Sequence, residues 1–237
     1  MSDATVPAVP PSAEEAPAVP VLPSLVDQAE RLVALGLVGA APGAPSADEL
    51  LGAADRLGGA ASAGSLLVVA DAVLPPSALV PGLRRRVGGR APAEKPGFVV
   101  ADMPDIDDFA PTPTTVVPDA VVYAATDPDR GDAMRNWSPA EAEASILERG
   151  RTPFTVAEGV HWALQAPEVL ARNACYMMIG SRLRKAKGFD SRTPALWISN
   201  GSGRDGRERR GAPKAGWCWW NNRHTWLGFA SGAARVA

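Results

Sequence analysis

Cationic and aromatic side chains gather at one end of this chain. Together they can do the two things that hold a nucleic-acid strand, neutralise phosphates and stack on bases. Residues 171–237 carry 13 Lys and Arg against 3 acidic residues, whereas residues 1–170 carry 11 against 23. The near-neutral total of −2 therefore conceals a formal −12 on the first part and +10 on the second. Five of the seven tryptophans, Trp197, Trp217, Trp219, Trp220 and Trp226, lie in the basic part. Arg182 and Arg184 follow one predicted strand, and Arg204, Arg207, Arg209 and Arg210 lie in a Gly-rich loop from Gly201 to Gly211. Lys214 and Arg223 flank the last predicted hairpin. Arginine outnumbers lysine 20 to 4 along the whole chain, as GC-rich coding would also produce. Clustering, not arginine excess, therefore carries the argument.

Other constellations have plainer readings beside the chemical one. The loop Gly201-Ser202-Gly203-Arg204-Asp205-Gly206 could crowd backbone N–H groups around an anion. It lacks the Gly-Lys-Ser/Thr ending of a nucleotide loop, and a strand follows it, so it reads as a surface connection. Asp127-Pro128-Asp129-Arg130-Gly131-Asp132 opens like a calcium loop, but its twelfth position is Ser138 in place of the bidentate Glu. Asp102, Asp105, Asp107 and Asp108 could add hard oxygen ligands only if the fold brought both groups together. Cys218 and His224 could meet across a hairpin as a thiolate–imidazolium pair. His161, beside Trp162 on a helix, reads as a packed or surface histidine. No nucleophile elbow or zinc-protease motif occurs.

The elements that must position these residues follow from local signals. Residues 1–21 are Pro/Ala-rich and predict an extended, disordered tail. Pro23 to Gly36 and Ser46 to Gly59 predict two short helices, the second opened by a Ser46/Glu49 capping box. Leu66–Val69, Gly97–Ala101 and Ala120–Thr126 read as strands, with the basic trio Arg84-Arg85-Arg86 between the first two. Capping boxes at Ser138/Glu141 and Thr155/Glu158 start two further helices. Their short turn suggests a packed helical hairpin; Glu158, and the absence of Lys or Arg from the second helix, argue against entry into a DNA groove. Ala174–Ser181, Ala195–Ser199, Gly216–Trp220 and Trp226–Ala230 predict a C-terminal antiparallel sheet rich in Trp. The last two strands would form a hairpin through Asn221–Thr225. The fold class is α+β, divided into a tail at 1–21, an N-terminal α+β region at 22–120 and an α+β domain at 121–237.

Ser181-Arg182-Leu183, Arg192 to Ser199, Gly216-Trp217-Cys218-Trp219 and Asn222 to Ser231 give the segment Tyr123–Ser231 a distinctive signature. In these strings it resembles an uncharacterised family of actinobacterial proteins, a domain of unknown function. That resemblance implies a bacterial cytoplasmic setting and carries no catalytic role. Two cysteines and no signal-like or membrane-length apolar segment predict a soluble cytoplasmic protein with reduced thiols and no membrane partner.

Three functional readings follow. The first is a non-enzymatic binding protein whose C-terminal sheet presents Arg182, Arg184, Arg204, Arg207, Arg209, Arg210, Lys214 and Arg223 to an anionic partner. Single-stranded nucleic acid, with Trp217 or Trp219 stacking, is its most concrete form. The second is a homo-oligomer pairing the acidic region of one chain with the basic region of another, although such pairing could equally be internal. The third is an enzyme using Cys218, His224 or the Asp127 loop. The sequence assigns no catalytic residue, cofactor or metal ligand.

Overall fold

The computed structural model describes residues 20–39, 43–88 and 93–237, so the expected tail lies almost wholly outside the described residues. Capping side chains set the helix starts by satisfying N–H groups that the first turn leaves without partners. Helix α1 (Leu25–Ala34) opens at Ser24, whose hydroxyl accepts the Asp27 N–H, and α2 (Ala47–Gly58) opens at the Ser46/Glu49 box. A short α3 (Pro76–Leu79) follows Pro75. Helices α4 (Pro139–Glu148) and α5 (Val156–Gln165) start at Ser138 and Thr155, each with its capping box closed.

These last two helices part after the turn that joins them. Helix α5 carries one polar stripe, Glu158, His161 and Gln165, which Arg235, Val69 N–H and Gln28 O meet inside the protein, and all ten of its residues are buried. Its Val156, Val160, Trp162 and Leu164 belong to the larger apolar core. Helix α4 offers only a stripe, and its Ala142 and Ile146 join a second, smaller core. A strand layer lies between the two cores, so the sequence's helical hairpin is not a packed pair.

Strands β1 (Leu66–Val69), β6 (Val122–Ala125) and β14 (Arg235–Val236) form one antiparallel sheet, with β6 in the middle. Gln28 of α1 ties onto it, giving Nε2–H to Ser65 O and accepting from Leu67 N–H. The principal sheet has the order β12-β8-β10-β11-β4: Leu227–Phe229, Cys175–Met177, Arg192–Ile198, Pro213–Trp219 and Phe98–Val99. Its centre is antiparallel, as the sequence predicts, but both edge strands join parallel. Two-stranded ladders complete the fold: β2 (Arg84–Val87) with β3 (Ala93–Pro96), β5 (Phe109–Pro111) with β9 (Ser181–Leu183), and β7 (Thr152–Pro153) with β13 (Ser231–Gly232).

The principal sheet separates the two cores because strand side chains alternate between faces. Tyr176, Leu196 and Ala215 face the larger core, where the Trp162 ring lies 5.7 Å from that of Tyr176. Gly159 leaves room for β8 and the residue after it against α5: a Cβ there would come within 2.3 Å of Met178 Sδ and 3.3 Å of the Tyr176 ring. Cys175, Met177, Ala195, Leu227 and Phe229 face the smaller core with α4. Residues from Leu22 to Ala230 share the larger core, and β4 and β5 pair with strands from the C-terminal part.

One pairing differs from expectation in a way that matters for the site. The predicted hairpin of β11 with β12 does not form. Strand β11 pairs with β10 over seven positions and with β4 on its other side, so both of its edges are taken. The true hairpin is β10–β11, and the Arg-rich Gly201–Gly211 segment is its loop.

Candidate functional site: an aromatic cleft on the principal sheet

Since β11 and β12 are separated by β10 and β8, residues 220–226 must cross the sheet. Three strand spacings are about 14 Å, and seven residues reach that comfortably. The crossing segment is held at both ends and in the middle. Trp220 N–H donates to Ser191 O at 2.8 Å, and Cys175 N–H donates to Trp226 O at 2.9 Å. Arg223 forms an ion pair with Glu141 and donates to Asn136 O, which fastens the segment to the start of α4. The Ser138 hydrogen bonds and this guanidinium pull the Glu141 carboxyl down to about 2.

A cleft of about 570 Å³ opens where this segment passes the sheet. Ala174, Cys175, Ala195 and Leu227 supply apolar lining, and Asn173 and Asn200 supply amides. Trp197, Trp217, Ile198 and Cys218 come from β10 and β11, and His224 and Trp226 from the crossing segment. The imidazole of His224 stacks on Trp226 with centroids 4.5 Å apart and planes 13° from parallel. Trp226 remains 48% exposed. Trp197 lies across β11 because Gly216 has no side chain: a Cβ there would sit 2.6 Å from the indole. Lys214 Nζ lies 5.0 Å from the Trp197 centroid, a cation–π distance. Asp205 holds that ammonium at 2.8 Å and also accepts the Ser199 hydroxyl at 2.7 Å, which orders the Arg-rich loop around a buried carboxylate.

Both thiols line this cleft and both are free. Burial, chiefly, pushes the Cys175 thiol well above its ordinary range, so it stays protonated and inert. Cys218 is half-buried and accepts from Asn222 Nδ2 at 3.2 Å. Among the described residues no hydrogen bond joins Cys218 to His224, and no hairpin brings them across from each other. The cleft can sort planar groups by stacking and orient them with amides.

The structure distributes the sequence's candidate residues unevenly. Trp217 lines the cleft and meets Trp219 edge-on at 4.4 Å, while Lys214 stands behind the lining, against Trp197. Arg204, Arg207, Arg209 and Arg210 are exposed on the β10–β11 loop, Arg209 lying 4.4 Å over the Phe98 ring. Arg184 is exposed beside Phe189. Arg182 is buried, 3.8 Å over the Trp220 ring, and donates to Asp190 O at 2.6 Å. Arg223 is bound to Glu141. Sequence reasoning missed Trp197, Trp226, Asn173 and Asn200 as site residues, and it read 221–225 as a turn; the two tryptophans bordering strand ends were the available signal.

Most of the remaining candidates are engaged structurally, while Asp102 and Asp108 are exposed. Asp127 pairs with Arg151 at 2.6 Å, Asp129 accepts Gly131 N–H, and Asp132 pairs with Arg130 and Arg135. Asp105 pairs with Arg192 and Asp107 accepts from Ser77. Among the described residues no three His, Cys, Asp or Glu side chains gather as a metal site. His161 is a buried core residue, its Nδ1 against Ala157 O at 2.8 Å and its Nε2 against Val69 N at 3.3 Å. Arg192–Asp105, Arg223–Glu141 and Arg235–Glu158 join the basic and acidic parts within one chain.

No curated protein and no solved structure matches this chain. No helix among the described residues is long and apolar enough to cross a membrane. The chain belongs to the family of unknown function DUF5701, whose model matches residues 31–237.

Proposed function

We propose that this DUF5701 member is a non-enzymatic binding protein that receives a planar ring of an anionic partner in the aromatic cleft. Single-stranded nucleic acid is the most concrete partner: one base enters beside Trp226 while the exposed Arg204, Arg207 and Arg210 meet phosphates. The observation carrying this reading is the His224–Trp226 stack, half exposed at the mouth of a cleft already walled by Trp197 and Trp217. The free thiols accord with a reducing cytoplasmic setting.

Fluorescence anisotropy with a labelled oligodeoxythymidine over a series of salt concentrations tests it. Binding should fall steeply as salt rises, and Trp226→Ala should weaken it roughly five-fold or more. Salt-insensitive binding, absent binding, or a Trp226→Ala variant that binds as the parent does would overturn the proposal. The lining of one cleft by both Cys218 and His224 favours a second reading, thiol chemistry on a bound ligand. A Cys218→Ser variant that leaves every measured ligand conversion intact would remove it.

A further inference from the structure

A second cleft, of about 550 Å³, lies away from the aromatic one. It is lined by Arg31 of α1, by Arg84, Arg85 and Arg86 of β2, and by Glu94, Pro167, Glu168 and Leu170. Two elements far apart in sequence thus bring four guanidinium groups to one concavity, against two carboxylates. Glu94 reaches Arg84 only at 3.8 Å, and its side chain is largely exposed, so this ion pair neutralises little.

The arginines are held in place mostly by uncharged groups. Arg31 Nε donates to Leu164 O at 2.6 Å, and Arg85 Nη1 donates to Gly211 O at 3.2 Å. Arg84 Nη1 donates to Leu83 O at 2.9 Å and also to Pro81 O. A backbone carbonyl fixes a guanidinium without cancelling its charge, leaving the remaining N–H donors of each fork for something else. The like charge of Arg172 adds to the surplus: burial, and after it the repulsion from Arg172, lower the pKa of Arg85. Fixed, unneutralised arginine forks on a concave wall are what bidentate recognition of phosphate oxygens requires.

We propose that this cleft binds a small ligand carrying two adjacent phosphate groups. Its volume exceeds that of a single phosphate, and its donors come from two separate elements, α1 and β2, so a diphosphate can engage both sets where a monophosphate engages one. The site is independent of the aromatic cleft and does not rest on the function proposed for it.

Isothermal titration of the full chain at low salt with inorganic pyrophosphate, and separately with inorganic phosphate, tests this. Pyrophosphate should bind with one site per chain and about ten-fold or more tighter than phosphate. Arg86→Gln, at an exposed position, and Arg85→Gln should each weaken it several-fold while the thermal midpoint stays near that of the parent. Trp226→Ala should leave it unchanged. Absence of pyrophosphate binding, equal affinity for the two anions, or full affinity in the Arg85→Gln/Arg86→Gln double variant would overturn the proposal. Because the probe needs no nucleic acid, failure of oligonucleotide binding would leave this site standing.

Discussion

Arg235 sits in the interior with its charge fully engaged, and removing it should be among the most damaging single changes in the molecule. Its Nε and Nη2 meet Glu158 Oε1 and Oε2 at 2.6 and 2.8 Å, with side-chain exposures of only 4% and 0%. Nη1 also donates to Thr152 Oγ1 at 2.6 Å, and Nη2 to Pro153 O at 3.0 Å. In Arg235→Met the apolar volume is largely kept, but Glu158 stays in the core with only Thr155 and the Tyr123 hydroxyl beside it. Stranding a buried charge costs about 3–5 kcal/mol. Losing the two flanking hydrogen bonds adds about 1 kcal/mol each. Against a typical total of about 5–15 kcal/mol this is a large fraction, and it corresponds to a fall in midpoint of about 10 °C or more for a chain of this size. Urea denaturation followed by tryptophan emission measures it directly. Glu158→Gln in the Arg235→Met background should recover part of the loss, since the uncompensated charge is then gone. A cost below about 1 kcal/mol for Arg235→Met, or no recovery in the double variant, would refute the reasoning.

Burial lowers the His161 pKa to about 4, below the unfolded value of about 6.5. The fold therefore favours neutral imidazole: its contribution is complete above pH 6.5 and is lost as pH falls toward 4, by about 3 kcal/mol. Urea midpoints of the parent and His161→Gln should diverge in that window, and parallel curves would count against the buried, neutral assignment. Under native conditions a thiol reagent should modify half-buried Cys218 well before buried Cys175, and denaturant should bring the second thiol into reaction; two equal native rates would contradict this. Gly216→Val should displace the Trp197 ring, which a Cβ meets at 2.6 Å, and destabilise by about 1–3 kcal/mol. Unchanged tryptophan emission and stability in that variant would mean the ring does not rest on β11.

The helix starts and the strand Leu66–Val69 were legible because their signals are local. Ser46, Ser138 and Thr155 each cap a turn with a Glu three residues on, and nothing distant can move that geometry far. Strand partners were not legible, because pairing is settled by edges that lie far apart in sequence. Trp226–Ala230 and Gly216–Trp220 looked like neighbours across a short turn, yet β4, from around residue 98, occupies the edge that such a hairpin would need. The same limit hid the site. Charge and tryptophan counting pointed to the part of the chain that supplies most of the cleft and named Trp217, but it could not see that Arg182 is covered by Trp220 or that Trp226 is carried back over the sheet.

The placement of β14 has a consequence for how this chain acquires its fold during synthesis. The acceptor strand β6 and the carboxylate of Glu158 are made long before residues 235–236 that complete them. A growing chain therefore has an open strand edge and an unpartnered interior anion until residues 235–236 are available. Domains assembled from such distant pairings fold slowly, since loop closure precedes the stabilising contacts. While it waits, the exposed edge is a template for pairing with other chains. Productive folding of this architecture should thus depend on chaperone protection more than that of a helical bundle of equal length, and its yield in refolding should fall as protein concentration rises.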